Sequence, residues 1–306
     1  MLSRVANNIY WMARYIERAE NTARLINVNT HLVLDMPRKV QLGWEPIVEM
    51  TTGREAFFEH YDEADERSVI KFLVTDRNNS GSIMSSLEMA RANGRTIRDI
   101  IPTEAWEQVN ALCLEAKSGT NQALGRRNRF GYLRSVILGS QTMTGLLSGT
   151  MPHDEGYAFL RLGRNLERAD MTTRIIDVRS ATLLPDASDE LSTFDNLQWI
   201  AVLKSLTAYQ AYRRQVRLRI RRQDVLKFLL HSTEFPRAFR HSIDEVENCL
   251  QTLPRSDAPL QRITDLQTTL GSAQPDKLKQ ERLHEFLDQL QLGLMGVHTA
   301  VSGTYF

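Results

Sequence analysis

The sequence predicts an all-α protein: a compact multi-helix array built on duplicated long helices that carry glutamate and arginine. Three observations predict it. Helix breakers are sparse, with 16 glycines and 9 prolines among 306 residues. Apolar residues recur at helical spacing, as in Val5, Ile9, Met12, Ile16, Ala19, Ala23 and Ile26; such steps lay one apolar stripe along a helix. No segment alternates apolar and polar residues over a strand's length. The one Asn-Gly pair, Asn93-Gly94, lies inside a helical pattern rather than between strands.

The first helix is expected to start at Ser3, its N-cap, and to run to about Leu34, where Asp35-Met36-Pro37 stops it. Helices over 42–50, 53–60 and 63–74 follow. Thr75 to Ser82 is turn chemistry. A helix from Ile83 reaches Ile101-Pro102, and Thr103 caps the next, which contains Trp106. Residues 122–149 read as one helix. A second long helix starts near Asp154 and ends near Leu184, and Asp186 to Ser192 is a polar linker. Helices over 193–221 and 224–232 come next. Pro236 suits the first position of a helix to about 253, and helices over 258–271 and 276–302 close the chain. Residues 1–306 read as a single helical domain, with a soft boundary at 185–192 between two halves.

Composition bounds the function. Hydrophobic residues make up 42% and charged residues 25%, an ordinary globular mix that can bury a core without disulfide or metal staples. The net charge of +1 argues against a dedicated nucleic-acid binder. Cys113 and Cys249 are too isolated for a disulfide framework or a thiolate metal site, and read as reduced, buried thiols of a cytoplasmic protein. The opening residues carry a charge every few positions, unlike a leader peptide. No run approaches about 18 apolar residues, so no membrane span is expected.

The strongest signal is an internal repeat. Residues 14–28 and 164–178 coincide at an offset of 150. Arg14 matches Arg164, Glu17 matches Glu167, Arg18 matches Arg168, Glu20 matches Asp170, Thr22 matches Thr172 and Arg24 matches Arg174. The apolar stripe repeats with them. A weaker third copy runs from Glu88 to Arg95. Glu17, Asn21 and Arg24 share one helix face, as do Glu167, Met171 and Arg174. Ala13 and Gly163 lie beside these faces and let a neighbouring helix come close. A carboxylate and a guanidinium therefore stand at the edge of an interhelical seam, twice.

Two readings of this repeat stay open on the residues alone. In one, buried Glu–Arg networks fix how helices cross, because a buried charge needs a partner. In the other, the two faces converge on a polar pocket. There Arg14, Arg18, Arg24, Asn21 and Arg95 would bind substrate together with Arg164, Arg168, Asp170 and Arg174. Glu17 and Glu167 are the candidate catalytic residues, orienting the arginines or accepting a proton from an amine.

At these residues the sequence resembles the Alpha-E family, a bacterial all-helical group named for its repeated Glu-Arg motif. The resemblance covers essentially the whole chain. It rests on Tyr10 to Arg24, Ser85 to Asp99, Gly163 to Arg174, Phe235 to Arg240 and the ending Thr304-Tyr305-Phe306. The middle copy departs from the family pattern, with Ala92 where a glutamate is usual, so that copy lacks the carboxylate a catalytic role needs. The resemblance implies a companion of a circularly permuted ATP-grasp protein, in neighbourhoods that include transglutaminase-like proteins and peptidases. It therefore implies a helical subunit acting with an ATP-grasp ligase in amide or peptide-bond formation on a peptide or small metabolite. ATP and Mg would be used by the partner ligase. The alternative is a non-catalytic helical adaptor or scaffold for that ligase.

Other motifs stand beside the repeat. Arg213, Arg214, Arg217, Arg219, Arg221 and Arg222 form a patch with no acid inside it. It reads as a phosphate or tRNA/RNA contact, a dock for an acidic partner, or a solvated helix end with Val216, Leu218 and Ile220 buried nearby. Glu281-x-x-His284 has the spacing used in di-iron bundles, but a single copy reads as a surface pair and no metal is expected. His153-Asp154-Glu155 reads as a helix N-terminus, with a general-base role for His153 as the alternative. No nucleophile elbow, Walker loop or dinucleotide fingerprint occurs, so no cofactor is expected on this chain alone.

Overall fold

The computed structural model describes residues 1–35, 43–51, 53–181, 189–216 and 219–306, with the backbone alone for 189–195. The fold is all-α: the described residues form fifteen α-helices, one 3-10 turn and no strand. The chain divides into two units, Met1–Val33 with Lys39–Arg164, and Leu34–Arg38 with Asn165–Phe306. The division falls inside a helix rather than in the polar linker at 185–192, of which 185–188 lie outside the described residues.

The first unit opens with α1 (Ser3–Asp35) and three short helices, α2 (Glu45–Met50), α3 (Arg54–Phe58) and α4 (Glu66–Val74). It continues with α5 (Ile83–Thr96), α6 (Thr103–Ser118), α7 (Thr120–Leu124) and α8 (Arg126–Thr150). The start of α9 (Glu155–Ala181) belongs to it as well. The rest of α9 belongs to the second unit, with α10 (Asp189–Ser205), α11 (Tyr209–Val216) and α12 (Arg222–His231). α13 (Phe239–Thr252), α14 (Asp257–Ser272), the 3-10 turn Pro275–Lys277 and α15 (Gln280–Tyr305) complete it.

The periodic stripe of α1 is core except at its start, where Val5 is half-buried. Ile9, Met12, Ala19, Ala23 and Ile26 have no exposure, and Ile16 only 5%. In α9 the equivalent Phe159, Leu162, Leu166, Ala169 and Ile176 are likewise buried. Asp65 caps α4 by accepting from the Ser68 N–H at 2.7 Å. Asp154 caps α9, accepting from the Gly156 N–H at 2.9 Å. Both cysteines are free and buried. No helix among the described residues is long and apolar enough to cross a membrane.

Several boundaries differ from those expected. Pro102, not Thr103, occupies the N-cap of α6 in extended backbone, so Thr103 is already helical and its hydroxyl caps nothing. The stretch 122–149 is two helices, because Gly125 turns extended (ψ 127°) between α7 and α8. There the buried Arg129 bridges the break, donating from Nε to the Ala123 carbonyl at 3.0 Å and from Nη1 to Glu66 at 2.7 Å. The helix over 193–221 is interrupted at 206–208. α10 starts at Asp189, inside the expected linker. α13 starts at Phe239, three residues after Pro236, because Phe235 to Ala238 close a turn first (Ala238 N–H to Phe235 carbonyl, 2.9 Å). The expected end near Leu184 lies outside the described residues.

Gly163 of α9 carries the close approach that its position suggested. A Cβ there would stand 2.3 Å from the Tyr10 carbonyl oxygen of α1. No side-chain rotation relieves a clash with backbone, so α9 reaches α1 only without a side chain at this point. Gly163→Ala is therefore expected to destabilise the chain by about 3 kcal/mol or more. Gly145→Ala on α8, where a Cβ meets nothing within 4 Å, is expected to add about 0.5 kcal/mol. Urea unfolding of the two variants checks the contrast; similar stabilities would show that the helices part readily.

Candidate functional site

The two repeat copies fold alike. Arg24 donates from Nε and Nη2 to Glu20 Oε1 at 2.9 and 2.7 Å. Arg174 donates from Nε to Asp170 Oδ2 at 2.9 Å. The same (i, i+4) ion pair thus stands at the same register of both long helices. The α1 pair is the more enclosed, with side-chain exposures of 11% and 3% against 25% and 22% in α9. From α8, Gln141 Nε2 adds a 3.4 Å contact to Glu20 Oε1.

One turn earlier, Glu17 and Glu167 are each only 2% exposed. Asn21 and Asn165 are buried to the same degree, and Thr22 and Thr172 completely. The Thr172 hydroxyl donates to the Arg237 carbonyl at 2.9 Å. Burying a carboxylate costs several kcal/mol unless partners compensate it, and this chain does so at matched positions twice.

The remaining arginines of the repeat have different surroundings. Arg14 lies over the rings of Trp11 (5.0 Å) and Tyr10 (5.7 Å), and its Nη1 donates to Tyr10 Oη at 3.2 Å. Arg18 lies over Tyr15 at 5.6 Å. Trp11 and Tyr15 are themselves stacked at 5.4 Å, so an aromatic row supports both guanidinium groups. Arg164 and Arg168 are half-buried, and the Arg164 Nε is enclosed without a hydrogen-bond acceptor among the described residues. Arg95 of the third copy is exposed and lines an open pocket of about 460 Å³ with Glu88, Arg91 and Ala92. There Arg91 is fixed by Asn110 at 2.6 Å and Glu88 by Arg77 at 2.9 Å.

The arginine patch is split by its surroundings. Arg213, Arg219 and Arg221 line one cavity. Arg214 is exposed on α11. Arg222 serves the fold, donating from Nη2 to the Leu278 carbonyl at 2.9 Å, and burial lowers its pKa. Arg217 and Leu218 lie outside the described residues, and Val216, expected to be buried, is 38% exposed.

Two other motifs acquire partners that spacing did not reveal. His284 of Glu281-x-x-His284 donates from Nδ1 to Asp177 of α9 at 2.7 Å, with Asp288 3.6 Å from Nε2. Ligand atoms of Asp177, His284 and Asp288 all lie within 4.8 Å of one another; Glu281 is not part of the group. His153 stacks on Tyr157 at 4.0 Å and contacts the Ser148 carbonyl at 3.2 Å, the arrangement of a helix-start support. Glu20, absent from the expected binding set that included its counterpart Asp170, belongs to the site: it holds Arg24 as Asp170 holds Arg174.

A family described as a predicted alpha-helical domain with a conserved ER motif matches residues 1–306. Glu17-Arg18 and Glu167-Arg168 supply Glu-Arg pairs in both long copies. An uncharacterized protein of Mycobacterium bovis is 23% identical over 319 residues, covering 97% of this chain and 35% of its own length. Uncharacterized proteins of two Mycobacterium tuberculosis strains match to the same extent. The chain thus spans about a third of the length of these relatives. No solved structure matches.

The Asp177–His284 pair makes a pH-dependent contribution. The Asp177 hydrogen bond raises the His284 pKa, while burial raises that of Asp177. The histidine contribution is complete below its unfolded pKa, about 6.5, and fades as pH rises through the higher folded value. The imidazole is 58% exposed, so solvent screening keeps the effect below about 1 kcal/mol. His284→Gln is expected to cost more stability near pH 5.5 than near pH 8.5 (about one pH unit below and two above the free value). Denaturant unfolding at both pH values checks this; an equal or reversed difference would contradict the pairing.

Proposed function

The chain belongs to the Alpha-E family, and from that premise we propose that it is a helical subunit acting with an ATP-grasp-type ligase in amide or peptide-bond formation. The observation that carries this reading is the matched burial of Glu17 and Glu167, each beside an acid–arginine pair at the same register. A helix crossing can be held by apolar residues alone. Repeating a costly buried carboxylate at one register suggests that its chemistry is used. The greater length of the relatives leaves room for further domains and is compatible with work alongside a second protein.

In this reading the substrate is a peptide or small metabolite with a carboxylate or acyl phosphate. On each face the arginines, Arg14 with Arg18 on α1 and Arg164 with Arg168 on α9, would hold such oxygens, since guanidinium forks match both groups. Arg24 and Arg174 would position Glu20 and Asp170. Glu17 and Glu167 would orient the arginines or take a proton from the attacking amine, a role worth about a hundredfold or more in rate. ATP and magnesium would belong to the partner. A transglutaminase-like protein or peptidase of the same system would act on the product.

One observation favours a second reading, that of a non-catalytic adaptor. Arg24 and Arg174 are already gripped inside their own helices, which suits a network that stiffens the scaffold.

Glu17→Gln and Glu167→Gln separate the readings. The catalytic reading expects product from the reconstituted ligase system to fall about a hundredfold, with melting temperatures within a few degrees of wild type. Full activity in well-folded variants would overturn it. A large fall in melting temperature, with product in proportion to folded protein, would favour the adaptor.

A further inference from the structure

The second unit contains a cavity of about 680 Å³ that uses none of the Glu–Arg face residues. Its construction begins with an unusual turn. α10 ends and α11 begins within three residues, and Thr207 makes the turn at φ 55°. The Ala208 N–H bonds to the Leu203 carbonyl at 2.7 Å and the Thr207 N–H to the Lys204 carbonyl at 3.1 Å. That helix ending usually takes glycine, and a β-branched residue in left-handed backbone is strained. Strain of this kind persists where the surroundings hold it, and it concentrates at ligand sites.

The turn sets Tyr209 and Tyr212 of α11 beside Asn196 of α10. Tyr212 is 1% exposed, and its hydroxyl donates to the Arg219 carbonyl at 3.1 Å. That bond holds the segment 219–221 against α11, with Arg221 in extended backbone. Arg222 pins the far end through the Leu278 carbonyl. The walls are therefore built.

Three arginines, Arg213, Arg219 and Arg221, line this one cavity, and all three are exposed. None has a carboxylate partner among the described residues. Some arginines elsewhere do have one, among them Arg24 with Glu20, Arg129 with Glu66, Arg174 with Asp170 and Arg240 with Asp244; what sets these three apart is that they line one cavity together. Arg213 lies 5.9 Å from the Tyr209 ring centre, which steadies it without neutralising it. Ile200 and Ile220 complete the lining with apolar surface. The space is an open groove whose charged lining is exposed, with a volume in the range of small-molecule sites.

We propose that this cavity binds a small organic phosphate, a phosphate ester with a planar or apolar body. Arg213, Arg219 and Arg221 grip the phosphate through charge-assisted bonds. Tyr209, Ile200 and Ile220 pack against the body, and Asn196 meets its polar edge.

Calorimetric titration of the full chain with inorganic phosphate, pyrophosphate and adenosine monophosphate tests this. The nucleotide is expected to bind saturably and more tightly than inorganic phosphate. Arg213→Gln and Arg219→Gln are expected to weaken it about tenfold each, and Tyr209→Ala to weaken the nucleotide more than inorganic phosphate. Arg98→Gln, an exposed arginine of the first unit, is expected to change nothing. Should a glutamine variant fail to fold, Arg219→Lys takes its place, keeping the charge but losing the fork. Absence of saturation by all three probes at millimolar concentration would overturn the proposal. So would unchanged affinity in folded arginine variants, or binding of an RNA oligomer or acidic peptide with no phosphate binding.

Discussion

The rest of the first unit's geometry depends on a backbone meeting backbone. At Gly163 the missing side chain lets α9 approach the Tyr10 carbonyl of α1, where a Cβ would stand at 2.3 Å. Such a contact fixes axial position more tightly than interdigitated side chains do, because neither partner can rotate away. One turn beyond the contact along each helix stand Arg14 on α1 and Glu167 on α9. Within the first unit, the crossing therefore sets the height at which the α1 face begins.

With that height fixed, the repeated chemistry follows from helical spacing. Residues four apart lie one above the other, so Glu20 meets Arg24 and Asp170 meets Arg174 without help from elsewhere. Both pairs leave a buried glutamate one turn back, at Glu17 and Glu167. The two copies differ in degree. Glutamate in α1 gives a two-point grip on its arginine, whereas the shorter aspartate in α9 accepts from Nε and leaves the pair more open. Duplication has kept the acid–arginine register while relaxing one copy.

Local and periodic features were legible in the sequence; long-range pairings were not. The stripe from Ile9 to Ile26 gave α1 almost to the residue, and its echo at an offset of 150 gave α9. The need for a small residue at Gly163 was visible as well. The break at Gly125 was missed because the apolar period runs through it, and only the Arg129 bridge makes it a stable joint. The turn at Thr207 carries no glycine or proline to announce it. Asp177 and His284 are 107 residues apart in the chain, beyond any spacing rule. The arginine patch was visible as composition, but which arginines share a cavity depends on the tie between Tyr212 and Arg219. Such a tie exists only once α11 and the segment after it have packed.

In the function we propose, the duplicated faces serve chemistry shared with a second protein. The most direct measurement is co-expression of an ATP-grasp-type partner with and without this chain, followed by mass spectrometry of ATP-dependent products. A condensation product, two reactants joined with loss of water, is expected only when both proteins are present. The same products in the same yield without this chain would contradict the proposed function.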